Sequence, residues 1–486
     1  MVSRLLPDRY EYSFGRRIPN TRESRPTENW QMSEAVFPRN FLKTYPEAVR
    51  GEGCFIFTAG GQRYLDASGG AAVVTIGHGV PEIGRAMAEQ ATQLAYAHSS
   101  QFHTEPAEKL ARRVLDLAPR EMRDQGRVYF TSGGSEATET ALKLARQYWV
   151  ERGEKKRYRV ISRSQSYHGA SLGALSVSGN VRRREPFAPM LQEWGHILPC
   201  YCYRCPLGLE YPSCNVDCAD ELDRLLEGQG SQDVAAFVFE PIVGATLGAV
   251  VPPDGYVQRI ADICRRHNIL LIADEVMSGM GRTGKPFAVE HWGVSPDMIL
   301  VGKGIASGYA PLGAVIVAGH IAETISRGSG VFLHGFTYNA HPVATAAGNA
   351  VLDYIERERL FERVGPIGRE LYAALETLRK YSVVGDVRGK GLLLAIEIVR
   401  DTKTREPFPA DANTAARIQE DALEAGVMTY PIQGGADSTR GDHILIAPPF
   451  TMTPTMIQML AAGLERALAD LEKTHLAGKG GTSALV

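Results

Sequence analysis

The sequence predicts an α/β fold built on a mostly parallel sheet with helices on both faces. Two observations predict it. From about residue 127 short apolar runs alternate with amphipathic stretches, as strands alternate with crossover helices. The runs also carry few polar residues, which is how strands covered on both faces read.

Taken in order, residues 1–50 are polar and rich in Pro and Arg, and are expected to wrap a surface. Strands are expected at "RVYFT" (127–131), "YRVIS" (158–162), "AAFVFE" (235–240), "NILLIAD" (268–274), "DMILVG" (297–302) and "LGAVIVA" (312–318). Helices are expected between them, at Ser135–Val150 and Tyr256–His267 among others. After residue 345 helices are expected to dominate. The last begins at Thr453-Pro454, an N-cap followed by Pro in the first turn, and carries Ile457, Leu460, Leu464, Leu468 and Leu471 down one face. The tail "AGKGGTSALV" is expected to be disordered.

With 486 residues the chain has room for two or three domains and large cores. Lys and Arg (53) nearly balance Asp and Glu (55), so no nucleic-acid or membrane-surface partner is indicated. No apolar run approaches the length of a membrane span, and the N-terminus lacks the apolar core of a secretory signal. Six arginines lie between residues 4 and 25, but Asp8, Glu11 and Glu23 stand among them, unlike a transit peptide. A cytoplasmic location is expected. Five of the seven cysteines fall at 200–218, in "CYCYRCPLGLEYPSCNVDC". Short thiolate spacings suit zinc. The run lacks paired C-x2-C knuckles, however, and five is odd for a site of four thiolates, so reduced structural thiols in an insertion loop are the preferred reading and no metal is expected.

Three strand ends carry chemically useful residues. "TSGGSEATETALKLAR" (131–146) places Gly134 and Ser135 where a strand passes into a helix, whose free N–H groups and positive dipole end suit a phosphate. "LLIADEVMSGMGRTG" (270–284) puts Asp274 at a strand end, where a buried carboxylate needs a cationic partner. Its "GMGRTG" is formally a dinucleotide fingerprint, but it begins too far past the strand and no helix follows. "GRTGKP" fails as a P-loop because no Ser or Thr follows the lysine. "DMILVGKGIASG" (297–308) places Lys303 at the end of an apolar run. A lysine shielded from water has a lowered pKa and can attack a carbonyl. A phosphate cradle, a buried acid and a nucleophilic lysine at strand ends are together what pyridoxal 5'-phosphate requires.

These motifs, with "YHG" at 167–169, "FEP" at 239–241, "GKG" at 302–304 and "HGFTYNAHP" at 334–342, resemble the class III aminotransferases of fold type I, from about residue 35 to 475. The resemblance implies an N-terminal extension (1–35), a smaller α+β domain from segments 36–90 and 346–475, a large cofactor domain (91–345) and a tail (476–486). It implies that Lys303 holds the cofactor as an imine and shuttles the proton, that Asp274 pairs with the ring nitrogen, and that Val276 and Tyr167 cover the two ring faces. His168 is read as structural. Gly134 and Ser135 would bind the phosphate, and Glu240 would set hydrogen bonding on the ring's hydroxyl side. Thr337 would reach the phosphate of a partner subunit, implying a homodimer with shared sites, which could pair into a tetramer.

The chain also departs from relatives of the ornithine aminotransferase type. Leu445 stands where those carry a carboxylate-clamping arginine, and Ala245 where they carry the glutamate that holds it. Losing both disfavours a dedicated 2-oxoglutarate enzyme. The ω-amine:pyruvate branch uses a mobile arginine a few residues earlier, and Arg440 is the candidate. Ala71 and Ala72 replace a Leu-Trp pair of many ω-amine members, which would widen the pocket mouth for a bulkier amine. The expected function is ping-pong transfer of an amino group from a primary amine or ω-amino acid to a keto acid, pyruvate first. A 2-oxoglutarate transaminase, aminomutase, racemase or decarboxylase of the same family remains an alternative, since fold and cofactor do not fix the reaction.

Overall fold

The computed structural model describes residues 35–41 and 43–480. Residues 1–34, most of the expected extension, and 481–486 lie outside the described residues. The N-terminal strands β1 (Ala48–Glu52), β2 (Phe55–Thr58) and β3 (Arg63–Asp66) form an antiparallel meander. The central sheet follows, from β4 (Arg127–Thr131), β5 (Arg159–Arg163), β6 (His196–Ile197), β7 (Val234–Phe239), β8 (Leu270–Asp274), β9 (Met298–Val301) and β10 (Gly313–Val317). Its order is β4-β10-β9-β8-β7-β5-β6. Neighbours from β9 to β6 are parallel. All residues of β7, β8, β9 and β10 are buried, as their apolar runs require of strands covered on both faces.

β10 is antiparallel to both β4 and β9. Its link from β9 contains only turns and a short 3-10 segment at Lys303–Ile305. A parallel return needs a crossover of about a dozen residues or more, which this link cannot supply. The expected strands appear with ends shifted by one or two residues; "NILLIAD", for example, starts its ladder at Leu270.

The region after residue 345 is mostly helical, as expected, with Pro342–Arg357, Leu360–Glu376, Thr414–Glu424 and Pro454–Gly480 among its helices. Among the described residues it also contains five short strands, β11 (Val384–Lys390), β12 (Leu393–Ile398), β13 (Val427–Met428), β14 (Tyr430–Gln433) and β15 (Asp442–Ile446). Strands β11-β12-β15-β14 make a four-stranded antiparallel sheet. β13 pairs in parallel with β3, so the two ends of the chain share one sheet. The last helix, Pro454–Gly480, buries Ile457, Leu460, Leu464, Leu468 and Leu471, and its Thr453 Oγ1 accepts from the Met456 N–H. It continues four residues into the tail expected to be disordered, to Gly480.

Arg282, from "GMGRTG", is wholly buried where these parts meet. It donates to the carbonyls of Val74 (3.0 Å), Leu392 (3.2 Å) and Pro448, tying the N-terminal segment and the C-terminal sheet to the β8 loop. Burial lowers its pKa to about 9. Among the described residues no helix is long and apolar enough to cross a membrane.

Ile299, in the strand that leads to Lys303, is fully buried. Ile299→Ala should lower the unfolding free energy by ~2–5 kcal/mol, the usual cost of emptying such a site. Urea titration checks it, and a loss under ~1 kcal/mol would mean the centre of the sheet is not close-packed.

Candidate functional site

The site is assembled at the carboxyl ends of β4, β7, β8 and β9, where ligands of such sheets bind. Asp274, the last residue of β8, is buried. Its Oδ2 meets His168 Nδ1 at 2.7 Å, and its Oδ1 accepts from the Val276 N–H at 3.1 Å. A proton on His168 Nδ1 makes that ring the donor, leaving Nε2 without a partner. His168 therefore orients the acid, a more specific role than the structural one expected of it.

Lys303 follows β9 directly and is half-buried. Its φ of 45° is in the left-handed region, an uncommon conformation for a lysine that persists only where the surroundings impose it. Burial lowers its pKa to about 8, although Asp274 and Glu240 pull the other way. Glu240, just past β7, is also buried, and burial pushes its carboxyl up. Its Oε1 accepts from the Tyr167 N–H (3.1 Å) and its Oε2 from the Gly244 N–H (2.7 Å).

The helix Gly134–Glu151 begins beside these groups with no side chain capping its first turn. Gly134 must be glycine, because a Cβ there would stand 2.9 Å from Val276 Cγ1. Val276 likewise leaves little room beside Gly302, at 3.2 Å. Ser135 Oγ accepts from the Ala170 N–H at 3.0 Å, so its hydroxyl proton is left to donate. The residues chosen for a pyridoxal phosphate site, namely Lys303, Asp274, Glu240, Tyr167, Val276, Gly134 and Ser135, are thus brought together. Their donors fit that group: uncapped N–H groups for a phosphate, an oriented carboxylate for a ring nitrogen, and an amine of lowered pKa for an aldehyde.

Four other expected residues are placed differently. Thr337 is exposed, its carbonyl accepting from Tyr96 Oη at 2.9 Å. Ala71 is half-buried, while Ala72 is closed into an apolar cluster with Ile242, Ala249, Leu393, Ala395 and Leu445. Arg440 is exposed on the β14–β15 turn and donates to Asp437 Oδ2 at 2.7 Å. The sequence reading missed Arg183, whose guanidinium carbon lies 4.6 Å from the Tyr167 ring centroid. That guanidinium has no hydrogen bond or ion pair among the described residues. The run "RRR" at 182–184 was the available signal; Arg182 and Arg184 are engaged by Gln433 and Glu193.

All seven cysteines are free thiols. Cys202, Cys205, Cys214 and Cys218 line one small cavity with Tyr201, Leu207 and Tyr211. Burial pushes Cys202 up to about 11 and Cys218 to about 12. Among the described residues no group of three His, Cys, Asp or Glu side chains is placed to hold a metal.

The model of the family described as aminotransferase class-III matches residues 37–468. A Bacillus subtilis protein described as the uncharacterized aminotransferase YodT is 40% identical over 443 residues, covering 91% of this chain and 99% of its own. The crystal structure of a thermostable (S)-enantioselective omega-transaminase from Thermomicrobium roseum superposes with a TM-score of 0.83 at 38% identity, over 90% of this chain and 96% of that one. An amine transaminase from an uncultivated Pseudomonas species, solved in its PLP-bound form, gives 0.83 at 36% identity, over 92% and 99%.

The lowered pKa of Lys303 has a measurable sign. Between about 8 and the ordinary lysine value the unfolded chain holds a proton that the folded chain has released. This group's contribution to the stability of cofactor-free protein therefore rises with pH through that window. Competitive acetylation of cofactor-free protein, resolved by mass, should show Lys303 titrating near 8, and a midpoint at the ordinary value near ~10.4 would remove the burial argument.

Proposed function

The chain belongs to the class III aminotransferases, and from that membership we propose that it moves an amino group from a primary amine or ω-amino acid to pyruvate in ping-pong order. The observation that carries this choice of substrates is the apolar pair Leu445 and Ala245. Leu445 is fully buried among Ala72, Ile242, Ala249 and Ala395. A substrate carboxylate directed at this region would find no cation from either position, and would lie desolvated and unpaired at a cost of several kcal/mol. A donor presenting an apolar group meets no such cost.

When bound, pyridoxal phosphate supplies the aldehyde and the protonated ring that takes up an electron pair from the substrate. The chain's own residues supply the rest. Asp274, oriented by His168 and the Val276 N–H, holds the ring nitrogen's proton. The first turn of the Gly134 helix and the Ser135 hydroxyl bind the phosphate. Val276 and Tyr167 enclose the ring faces and exclude water. Lys303 Nζ takes the proton from the amine-bearing carbon; a base whose pKa is about 8 is suited to that near neutral pH. The carbonyl product leaves before the keto acid enters.

The reading includes a homodimer. Thr337 stands exposed on a segment whose Val331, Leu333 and Tyr338 are exposed too, an apolar run that a second copy would cover. Thr337 would there reach the partner's phosphate.

Titrating the visible band of cofactor-loaded protein tests the reading. An amine lacking a carboxylate should bleach it, and pyruvate should restore it better than 2-oxoglutarate. Equal or better restoration by 2-oxoglutarate overturns the acceptor, and absence of the band in loaded protein overturns the whole reading. The acceptor's carboxylate needs a cation. Arg440→Ala should raise the pyruvate KM by about tenfold, as expected for a lost charge-assisted contact. If it does not, and Arg183→Met does, the unspent guanidinium beside Tyr167 is the carboxylate's partner.

A further inference from the structure

The Cys-rich insert has no part in the chemistry above, yet its side chains reach the segment that follows Glu240. The segment 240–250 leaves β7 at Glu240 and folds back, with the Val243 N–H donating to Val250 O at 3.0 Å. Such a turn leaves carbonyls that need donors. Three are met by side chains from the C-terminal sheet. His443 Nε2, on β15, donates to Ala245 O at 2.8 Å. Arg388, on β11, donates to Leu247 O at 2.6 Å and to Gly248 O at 2.7 Å.

Arg388 also donates to Glu397 Oε2 at 2.7 Å, on β12. Glu397 is buried, and its other contacts come from the insert: Tyr201 Oη at 2.8 Å and Arg204 Nε at 3.0 Å. Burial alone would raise this carboxyl, but Arg388, His443 and Arg204 hold it below its usual range. The Tyr201 ring packs on Val243, Leu247 and Val250 of the turn itself. One residue earlier, Cys200 Sγ accepts from Arg163 at 3.2 Å, and Arg163 donates to Glu240 O at the start of the segment. The turn in turn abuts the site. A Cβ on Gly244 would stand 2.4 Å from Met277 Sδ, and Ile242 and Ala249 share the cluster of Ala72 and Leu445.

We propose that the insert and the buried Glu397–Arg388 pair form a clasp that holds the 243–250 turn in one shape, making Tyr201 and Arg388 positioning residues that set the size of amine the pocket admits. The proposal rests on the transaminase reading. A buried ion pair adds little net stability compared with an apolar substitute. What this one adds is direction, because the guanidinium is spent on the two named carbonyls and on two carboxylates, Glu397 and Asp386 (Oδ2, 3.2 Å). Loosening the clasp lets the turn withdraw from Met277 and Leu445, which favours bulky amines over small ones.

The test uses full-length, cofactor-loaded protein with Tyr201→Phe and Arg388→Lys. The ratio of kcat/KM for a bulky aryl amine to that for a small aliphatic amine should rise by about threefold or more in each. The visible cofactor band should stay unchanged. Amide hydrogen exchange at 245–249, measured with and without cofactor, should quicken while β8 is unaffected. A role in stability alone would lower the melting temperature of both variants and leave the ratio and the exchange pattern as they were, which overturns the proposal. Tyr201→Phe removes one hydroxyl and decides the matter by itself if Arg388→Lys fails to fold. If the wild-type protein binds cofactor but transaminates neither amine, the transaminase reading has failed, and the exchange result alone judges the clasp.

Discussion

The contact between Asp274 Oδ2 and His168 Nδ1, buried at the end of β8, is the interaction on which the site depends. A carboxylate placed there is costly unless every lone pair is answered. The imidazole answers one oxygen and the Val276 N–H the other. Lys303 stands in the field of that acid and of Glu240, and burial lowers its pKa to about 8. The same electrostatics explains Tyr167, whose backbone N–H is committed to Glu240, so that the ring next to His168 is fixed in place. None of these groups is tolerable alone at such depth; each is placed by another.

The fold supplies this by topology. Parallel strands β7, β8 and β9 bring Glu240, Asp274 and Lys303 to one edge of the sheet because each residue directly ends its strand or follows it. The antiparallel β10 lets the chain return after only a short link, so the loop bearing Lys303 is tight and its left-handed backbone is held. Arg282 then fixes the N- and C-terminal segments over the same edge through three carbonyls.

What was legible in the sequence follows from the same physics. Covered strands read as largely apolar runs, so β4 to β10 other than the two-residue β6 could be found, and chemically useful residues at three of the strand ends marked the site. The C-terminal strands were harder. β11 reads "VGDVRGK" and β14 "YPIQ", without a long apolar run or clean alternation. Contacts between distant segments were not legible at all: Tyr201 meets Glu397 across 196 residues and His443 meets Ala245 across 198. A signal was present, since Glu397 interrupts "LLLAIEIV" and His443 precedes "ILIAPP", and a charge inside a buried run needs a partner. Arg440 shows the converse. The family resemblance made it the candidate mobile arginine, and the turn itself supplies Asp437 to hold it.

The measurement that bears most directly on the account is reduction of the pyridoxal-phosphate-loaded protein with borohydride, followed by mapping of the modified peptide by mass. The account predicts one stoichiometric adduct on Lys303, lost in Lys303→Ala and made weaker, with cofactor released, in Asp274→Ala. An adduct spread over surface lysines, or undiminished in Lys303→Ala, would contradict it.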